Sequence, residues 1–153
     1  MDVYVIGAIV SAVIITALCI IKPNTGRIIL GIFYIFMGLG INLILGITNP
    51  QLYVNLGKDS LIPLYRDLFT QIVAQQPIIF VIPIALFQIT MGIFLLNKHK
   101  YVKIGLIGTS VFLLAITPLG VQQFPWLAVV LVQLYLLKKD FDKTILETIR
   151  SRK

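Results

Sequence analysis

The sequence predicts an all-α polytopic membrane protein, and three observations carry this prediction. The chain is 58% apolar and only 12% charged. Runs of about twenty residues without a charge recur along it, which is more hydrocarbon than a soluble core of this length could bury. The period-two alternation of a membrane β-barrel is missing. Because lipid offers the backbone no hydrogen-bond partners, a helical bundle in one domain over 1–153 is expected.

Five apolar runs are long enough to be membrane-embedded helices. They are, in chain order, Val3 to Ile21, Ile28 to Thr48, Ile78 to Leu96, Ile104 to about Leu119, and Trp126 to Leu137. In a four-span variant the last two fuse, but such a helix would extend roughly 51 Å across a hydrocarbon core of about 30 Å. Breakers at Pro118, Gly120 and Pro125 are expected to turn the chain back instead. A re-entrant hairpin over 104–137 is the alternative to two separate spans.

Basic residues predict the orientation. Of the 13 Lys and Arg residues, 11 follow the first, third or fifth run. The positive-inside rule then places these three segments in the cytoplasm, with the N-terminus outside the cell membrane. A four-span chain would instead put the basic tail over 138–153 outside. The net charge of +7 is explained by anionic lipid headgroups and requires no nucleic acid. We expect the tail to continue the fifth helix as an amphipathic stub in which Lys143 pairs with Glu147.

The long connection over 49–77 predicts an amphipathic helix on the outer face. Its sequence "GKDSLIPLYRDLF" places apolar residues at helical spacing: Leu61, Leu64, Tyr65, Leu68, Phe69, Ile72 and Val73. Asp59 or Ser60 is expected to cap the start of the helix. The helix should lie in the membrane interface or fold over the bundle as a lid, with its apolar stripe downward. Arg66 and Asp67 are then either a solvated face or the mouth of a binding site.

Inside the predicted spans the polar residues are neutral. None of the five runs contains Asp, Glu, Lys, Arg or His, which argues against a proton-coupled pump. No residue set predicts a metal site or a catalytic nucleophile. Small and polar residues share helix faces in these groups: Gly38, Asn42 and Gly46; Gln88 and Gly92; Gly105 and Thr109; Trp126 and Gln133; Gly7 and Ser11. The amides of Asn42, Gln88 and Gln133 should point inward, either as interhelical hydrogen bonds or as the lining of a pocket.

Two stretches resemble DoxX-like small membrane proteins. "RIILGIFYIFMGLGIN" resembles their opening helix, and "ALFQITMGIFLLNKHKYVKIGLIGTSVFLL" resembles their central helix pair. The likeness covers roughly Arg27 to Leu137 and implies a compact helical bundle. For some members it also implies a small subunit of a membrane redox assembly that exchanges electrons with quinone. This chain departs from the family in its additional N-terminal span and in Gln88, near where many relatives place an acidic residue.

Together these patterns predict a non-catalytic membrane subunit or binding protein. Its apolar pocket would hold a quinone, a lipid or a similar small molecule beneath the outer lid, between Asn42 and Gln88. It would assemble with itself or within a larger membrane complex. The alternative is a small transporter or channel for a neutral solute, lined by Asn42, Gln88 and Gln133. A lipid-modifying or sterol-modifying enzyme is less favoured, because such chemistry requires intramembrane acids.

Overall fold

The computed structural model describes residues 3–150, with side chains from residue 5 onward, and every regular element in that range is helical. We number the helices α1 (Val3–Ile21), α2 (Pro23–Thr48), α3 (Gln51–Lys58), α4 (63–73), α5 (Pro77–Leu96), α6 (Lys100–Ile116), α7 (Trp126–Leu136) and α8 (Ile145–Arg150). Short 3₁₀ turns at Thr117–Leu119 and Val121–Gln123 separate α6 from α7. The fused helix of the four-span variant is therefore absent from the described chain.

Within residues 3–150, three helices are long and apolar enough to cross a membrane. They are Pro23–Thr48, Pro77–Leu96 and Lys100–Leu119. Val5–Ile21 and Val121–Leu136 are shorter apolar helices. The five predicted apolar runs thus all form helices, and three of them have the dimensions of a membrane span. Two helices begin earlier than predicted: α2 begins at Pro23 rather than Ile28, so that Arg27 lies inside a membrane-type helix, and α6 begins at Lys100 rather than Ile104.

The α2–α5 interface is built on small residues. A Cβ atom added at Gly92 would lie 2.7 Å from the Gly31 carbonyl oxygen, and one at Gly38 would lie 2.9 Å from the Ala85 carbonyl oxygen. Such close approach of two backbones is the usual role of glycine between membrane helices, where packing rather than hydrophobicity drives association. The shared face predicted for Gly38, Asn42 and Gly46 is buried, which confirms that prediction.

The remaining helices close the bundle around one apolar core. α1 packs on α2 and α7, α5 packs on α6, and α6 packs on α7. Buried residues of α1 such as Ala12, Ile15 and Cys19 meet Val129 and Leu136 of α7 in this core. Gly105 and Thr109 are buried, whereas Gly7 is exposed and a Cβ atom added there would meet no neighbouring side chain or helix within 4 Å. The face that Gly7 shares with Ser11 is therefore not a close helix contact at Gly7.

The three basic segments contact one another at one end of the bundle, which we call the basic end. The His99 amide donates to the Phe141 carbonyl (2.8 Å), and Lys98 pairs with Glu147 (3.0 Å). The expected helical continuation of the tail is wrong, because α7 ends at Leu136 and a turn and an extended segment precede α8. Glu147 also accepts from the Thr144 amide (2.7 Å), and so pairs with Lys98 rather than with Lys143.

A cap made of α3 and α4 covers the opposite end. Ser60 donates to the Pro118 carbonyl (2.8 Å), and Tyr65 donates to the Ala115 carbonyl (2.8 Å), which ties the cap to the turn after α6. α4 begins at Pro63 without a side-chain cap, so neither Asp59 nor Ser60 has the capping role expected of it. The predicted stripe is divided: Tyr65, Phe69 and Val73 face the protein, whereas Leu64 is 72% exposed. Leu68 and Ile72 are exposed beside it.

Candidate functional site

Two of the predicted site residues form one buried pair. Asn42 lies in a π-helical segment of α2, Met37–Leu45, and its amide donates to the Gln88 side-chain oxygen on α5. Asn42 is 8% exposed and Gln88 is 3% exposed. π-Helical segments widen a helix locally and often occur at functional positions. Here the segment brings the Asn42 amide into direct contact with Gln88. This is the interhelical hydrogen bond that the sequence predicted as one of two alternatives.

The sequence analysis missed a third member of this cluster. The Tyr53 hydroxyl on α3 donates to the Asn42 side-chain oxygen, so the cap is bonded to the amide pair. Partial burial raises the pKa of Tyr53 to about 12. A buried tyrosine hydroxyl normally finds a hydrogen-bond partner, but the sequence carries no signal that selects Asn42 as that partner. The space beneath the cap is thus occupied by bonded side chains.

Gln133 belongs to a different polar cluster. Its side-chain oxygen accepts from the Ser110 hydroxyl at 2.5 Å, and Gln133 is fully buried between α6 and α7. Nearby on the same face of α6, the Thr109 carbonyl accepts from the Tyr34 hydroxyl at 3.4 Å. No hydrogen bond among the described residues joins Gln133 to Asn42 or Gln88. The three amides therefore form two separate pairs of contacts and not one polar line.

Arg66 and Asp67 lie on the exposed side of α4. The Arg66 guanidinium donates to the Ser60 carbonyl at 3.2 Å, which holds it against the start of the cap. Asp67 makes no ion pair with a described residue. Both side chains remain on the outside of the cap, whereas the amide pair lies within the bundle beneath α3. The structure thus does not bring the predicted charged residues and the predicted amides together.

An apolar groove runs along α1 beside the start of α7. Its volume is about 490 Å³, and it is lined by Ile9, Ala12, Val13, Thr16, Ala17, Ile20, Pro125 and Ala128. Alanines on both walls leave this space open. The Thr16 hydroxyl oxygen is buried and makes no hydrogen bond to any described residue. The sequence analysis missed this groove, although the alanines at positions 8, 12 and 17 are a weak signal for it.

A buried arginine organises the basic end. Arg27 is fully buried and donates to the carbonyls of Leu95 (2.7 Å), Asn97 (2.5 Å) and Lys143. The first two carbonyls end α5, where backbone acceptors lack partners within the helix and the helix dipole is negative. The guanidinium also lies 4.9 Å from the Phe141 ring centroid. Sequence reasoning treated Arg27 as one more basic residue of a cytoplasmic turn.

The described residues include no group of three His, Cys, Asp or Glu side chains that could hold a metal ion. No family model, curated protein or solved structure matches the chain. The DoxX-like resemblance therefore rests on the quoted sequence stretches alone. Two open spaces lie away from the amide pair: the groove on α1 and a crevice at the basic end.

Proposed function

We propose that this chain is a non-catalytic membrane-embedded binding subunit that holds the hydrocarbon tail of a lipid or quinone in the groove along α1. The observation that carries this proposal is the composition of the groove. Its walls are aliphatic except for Thr16, whose buried hydroxyl oxygen has no hydrogen-bond partner among the described residues. An aliphatic tail buries apolar area there.

The proposed topology has five membrane-embedded helices, with the N-terminus outside and the tail in the cytoplasm. It is supported by the contacts that gather the basic segments after α1, α5 and α7 at one end, as the positive-inside rule requires. α1, with 19 residues, extends about 28 Å and matches the hydrocarbon core. α7 has 11 residues, about 16 Å, and would span only with its flanking turns. In this arrangement the groove opens sideways to lipid.

Cysteine labelling tests the topology. Single cysteines replace Asp59 on the cap and Leu146 on α8, both of which are exposed, in a Cys19→Ser background. We expect an impermeant thiol reagent to label Asp59→Cys in intact cells and Leu146→Cys only after the cells are opened. Equal labelling of the two variants in intact cells would contradict the proposed orientation.

Native mass spectrometry from mild detergent tests the binding function. The wild-type protein is expected to retain a lipid or quinone, and Ala17→Phe should displace it by filling the groove. Ile14→Phe is the matched control, because it adds a ring to the same helix at a 52% exposed position outside the groove. Equal retention of the ligand by Ala17→Phe and Ile14→Phe would show that the groove is not the binding site.

The transporter alternative has less support. Asn42 and Gln88 bond to each other, and Gln133 bonds to Ser110, so a solute path along these amides would have to break both contacts. The DoxX-like role in a redox complex, and assembly with itself or with other subunits, remain predictions from the sequence. The same mass spectra report stoichiometry, so they also test whether the chain forms a homo-oligomer.

A further inference from the structure

A second crevice, of about 420 Å³, opens at the basic end. It is lined by Pro23, Asn24, Lys139, Asp140, Phe141, Asp142 and Lys143. The crevice lies where α1 has just ended and α2 begins, beside the extended segment that follows α7. Ile20 and Ile21, at the last turn of α1, are 58% and 72% exposed. An exposed apolar surface therefore adjoins a polar crevice at the level where the membrane-type helices end.

The wall of this crevice conceals a positive charge. Arg27 contacts three of the lining residues: it donates to the Asn24 side-chain oxygen (2.8 Å) and to the Lys143 carbonyl, and it lies over the Phe141 ring. Arg27 is fully buried, yet no carboxylate of the described residues lies within ion-pairing distance of it. Buried charges are normally paired. The carbonyls at the end of α5 compensate only part of a unit charge.

Cationic side chains outnumber carboxylates around the crevice. Asp140 pairs with Lys103 of α6 (3.5 Å), whereas the contact of Asp142 with His99 (3.7 Å) is an ion pair only when the imidazole is protonated. Lys139 and Lys143 make no ion pair with a described residue. With Lys103 and the buried Arg27, four cations thus lie at or beside a crevice that has two carboxylates. This arrangement attracts an anion.

We infer that the crevice binds the phosphate of an anionic phospholipid headgroup. Lys139 and Lys143 would contact the phosphate oxygens, Arg27 would contribute its charge from behind the wall, and the acyl chains would lie against Ile21, which is not part of the α1 groove. Basic crevices between membrane helices on the cytoplasmic side are suited to such headgroups. The inference uses the membrane position given under the proposed function, but it is independent of what occupies the α1 groove.

Lipid binding in nanodiscs at physiological salt tests this inference. Phosphatidylglycerol is titrated against a phosphatidylcholine background, and bound lipid is counted by native mass spectrometry. The variant Lys139→Gln/Lys143→Gln removes the crevice charges. Lys100→Gln/Lys138→Gln is the control, because it makes the same charge change at the same end, at two exposed lysines outside the crevice. Lys100 and Lys139 each lie over a tyrosine ring, at 5.5 and 4.9 Å, so the pairs also match in their aromatic contacts.

We expect the crevice variant to bind phosphatidylglycerol about thirty-fold more weakly, and the control to change by less than about threefold, because salt screens charges that do not touch the lipid. Thermal unfolding of both variants should match that of the wild type. An equal loss in the two variants, or equal binding of phosphatidylcholine and phosphatidylglycerol, would overturn the inference. Displacement of the lipid by an excess of inorganic phosphate would assign the crevice to a soluble anion and would also overturn it. Filling the groove with Ala17→Phe should leave this binding unchanged, which separates failure here from failure of the proposed function.

Discussion

Replacement of Arg27 by methionine should destabilise the bundle and release its tail. Three backbone carbonyls, those of Leu95, Asn97 and Lys143, lose their donor. A buried acceptor left without a partner costs about 1 to 3 kcal/mol, and this applies in full to the Leu95 carbonyl. The Asn97 and Lys143 carbonyls are part-buried and cost less, because water can reach them. Loss of the desolvated charge offsets part of the total, so we expect a net loss of about 2 kcal/mol in the free energy of unfolding.

Two measurements check this prediction. Equilibrium unfolding in mixed detergent micelles gives the stability, and limited trypsin digestion reports how accessible the segment 138–144 becomes. Arg27→Lys should be intermediate, because an ammonium retains the charge but not the planar fork. Arg66→Met is the control: Arg66 is exposed and makes a single hydrogen bond to a cap carbonyl. The reasoning is refuted if Arg27→Met lies within about 1 kcal/mol of that control and the tail remains protected.

Three further perturbations test other contacts. Gly92→Ala should lower the free energy of unfolding by about 1 to 3 kcal/mol, because its Cβ would lie 2.7 Å from a carbonyl oxygen of α2. Gly40→Ala is the control and should be near neutral, because its Cβ would lie 3.6 Å from the nearest atom. Unfolding in detergent compares the two variants. In a double-mutant cycle, Asn42→Leu and Gln88→Leu should show a coupling of about 0.6 kcal/mol, and a value of zero would mean that the amides do not interact. The hydrogen bond from the Thr144 amide, followed by that from Lys98, lowers the pKa of Glu147 to about 2. The stabilisation of α8 by ionised Glu147 is therefore present above the unfolded pKa of about 4.3 and is lost as the pH falls towards about 2. A spin label on α8 should gain mobility in that pH window, and in Glu147→Gln the label should be mobile at every pH.

The helices themselves were predictable because a helix that faces lipid has a continuous run of apolar residues in its sequence. Each apolar run became a helix, and the spacing of Gly38, Asn42 and Gly46 identified the buried face of α2 before any partner was known. Spacing works here because glycine and asparagine are useful in such a helix only where another backbone approaches. An interhelical hydrogen bond from Asn42 was one of two predicted alternatives, but its partner was not predicted: Asn42 and Gln88 were expected to flank a pocket, and they bond to each other instead.

Which side of the cap helix faces the protein could not be predicted. The run from Leu61 to Val73 contains more apolar residues than one helix face can hold, so two orientations satisfy the pattern. The choice is made by long-range contacts: the Tyr65 hydroxyl reaches the Ala115 carbonyl, and Phe69 packs against Gly57. Neither contact has a local signature. The exposed stripe of Leu64, Leu68 and Ile72 is consistent with a helix that lies in the membrane interface.

The break in the tail had a sequence signal that the analysis did not use. Thr144 and Glu147 form a capping box, in which each side chain accepts from the backbone amide of the other, and this motif starts a new helix. The role of Arg27 had no such signal. Lys22 and Arg27 look alike as charges flanking an apolar run. Arg27, however, donates to four acceptors, namely two carbonyls at the end of α5, the Lys143 carbonyl and the Asn24 side chain, and an ammonium has only three donors.

The polar residues that stand out in the sequence of a membrane helix are the ones most readily used in hydrogen bonds between helices. Asn42, Gln88 and Gln133 stand out because they are rare in hydrocarbon, and for the same reason each has bonded to a neighbour. The Asn42–Gln88 pair is bonded further through Tyr53, whereas the Gln133 side-chain nitrogen is buried with no hydrogen-bond partner among the described residues. The accessible spaces instead adjoin α1, whose small residues carry no polar signal, and the basic end, where Arg27 is buried without a carboxylate partner among the described residues. Substitutions that alter ligand binding without altering stability should therefore concentrate on α1 and on Lys139 and Lys143, whereas substitutions of the amides should alter stability first.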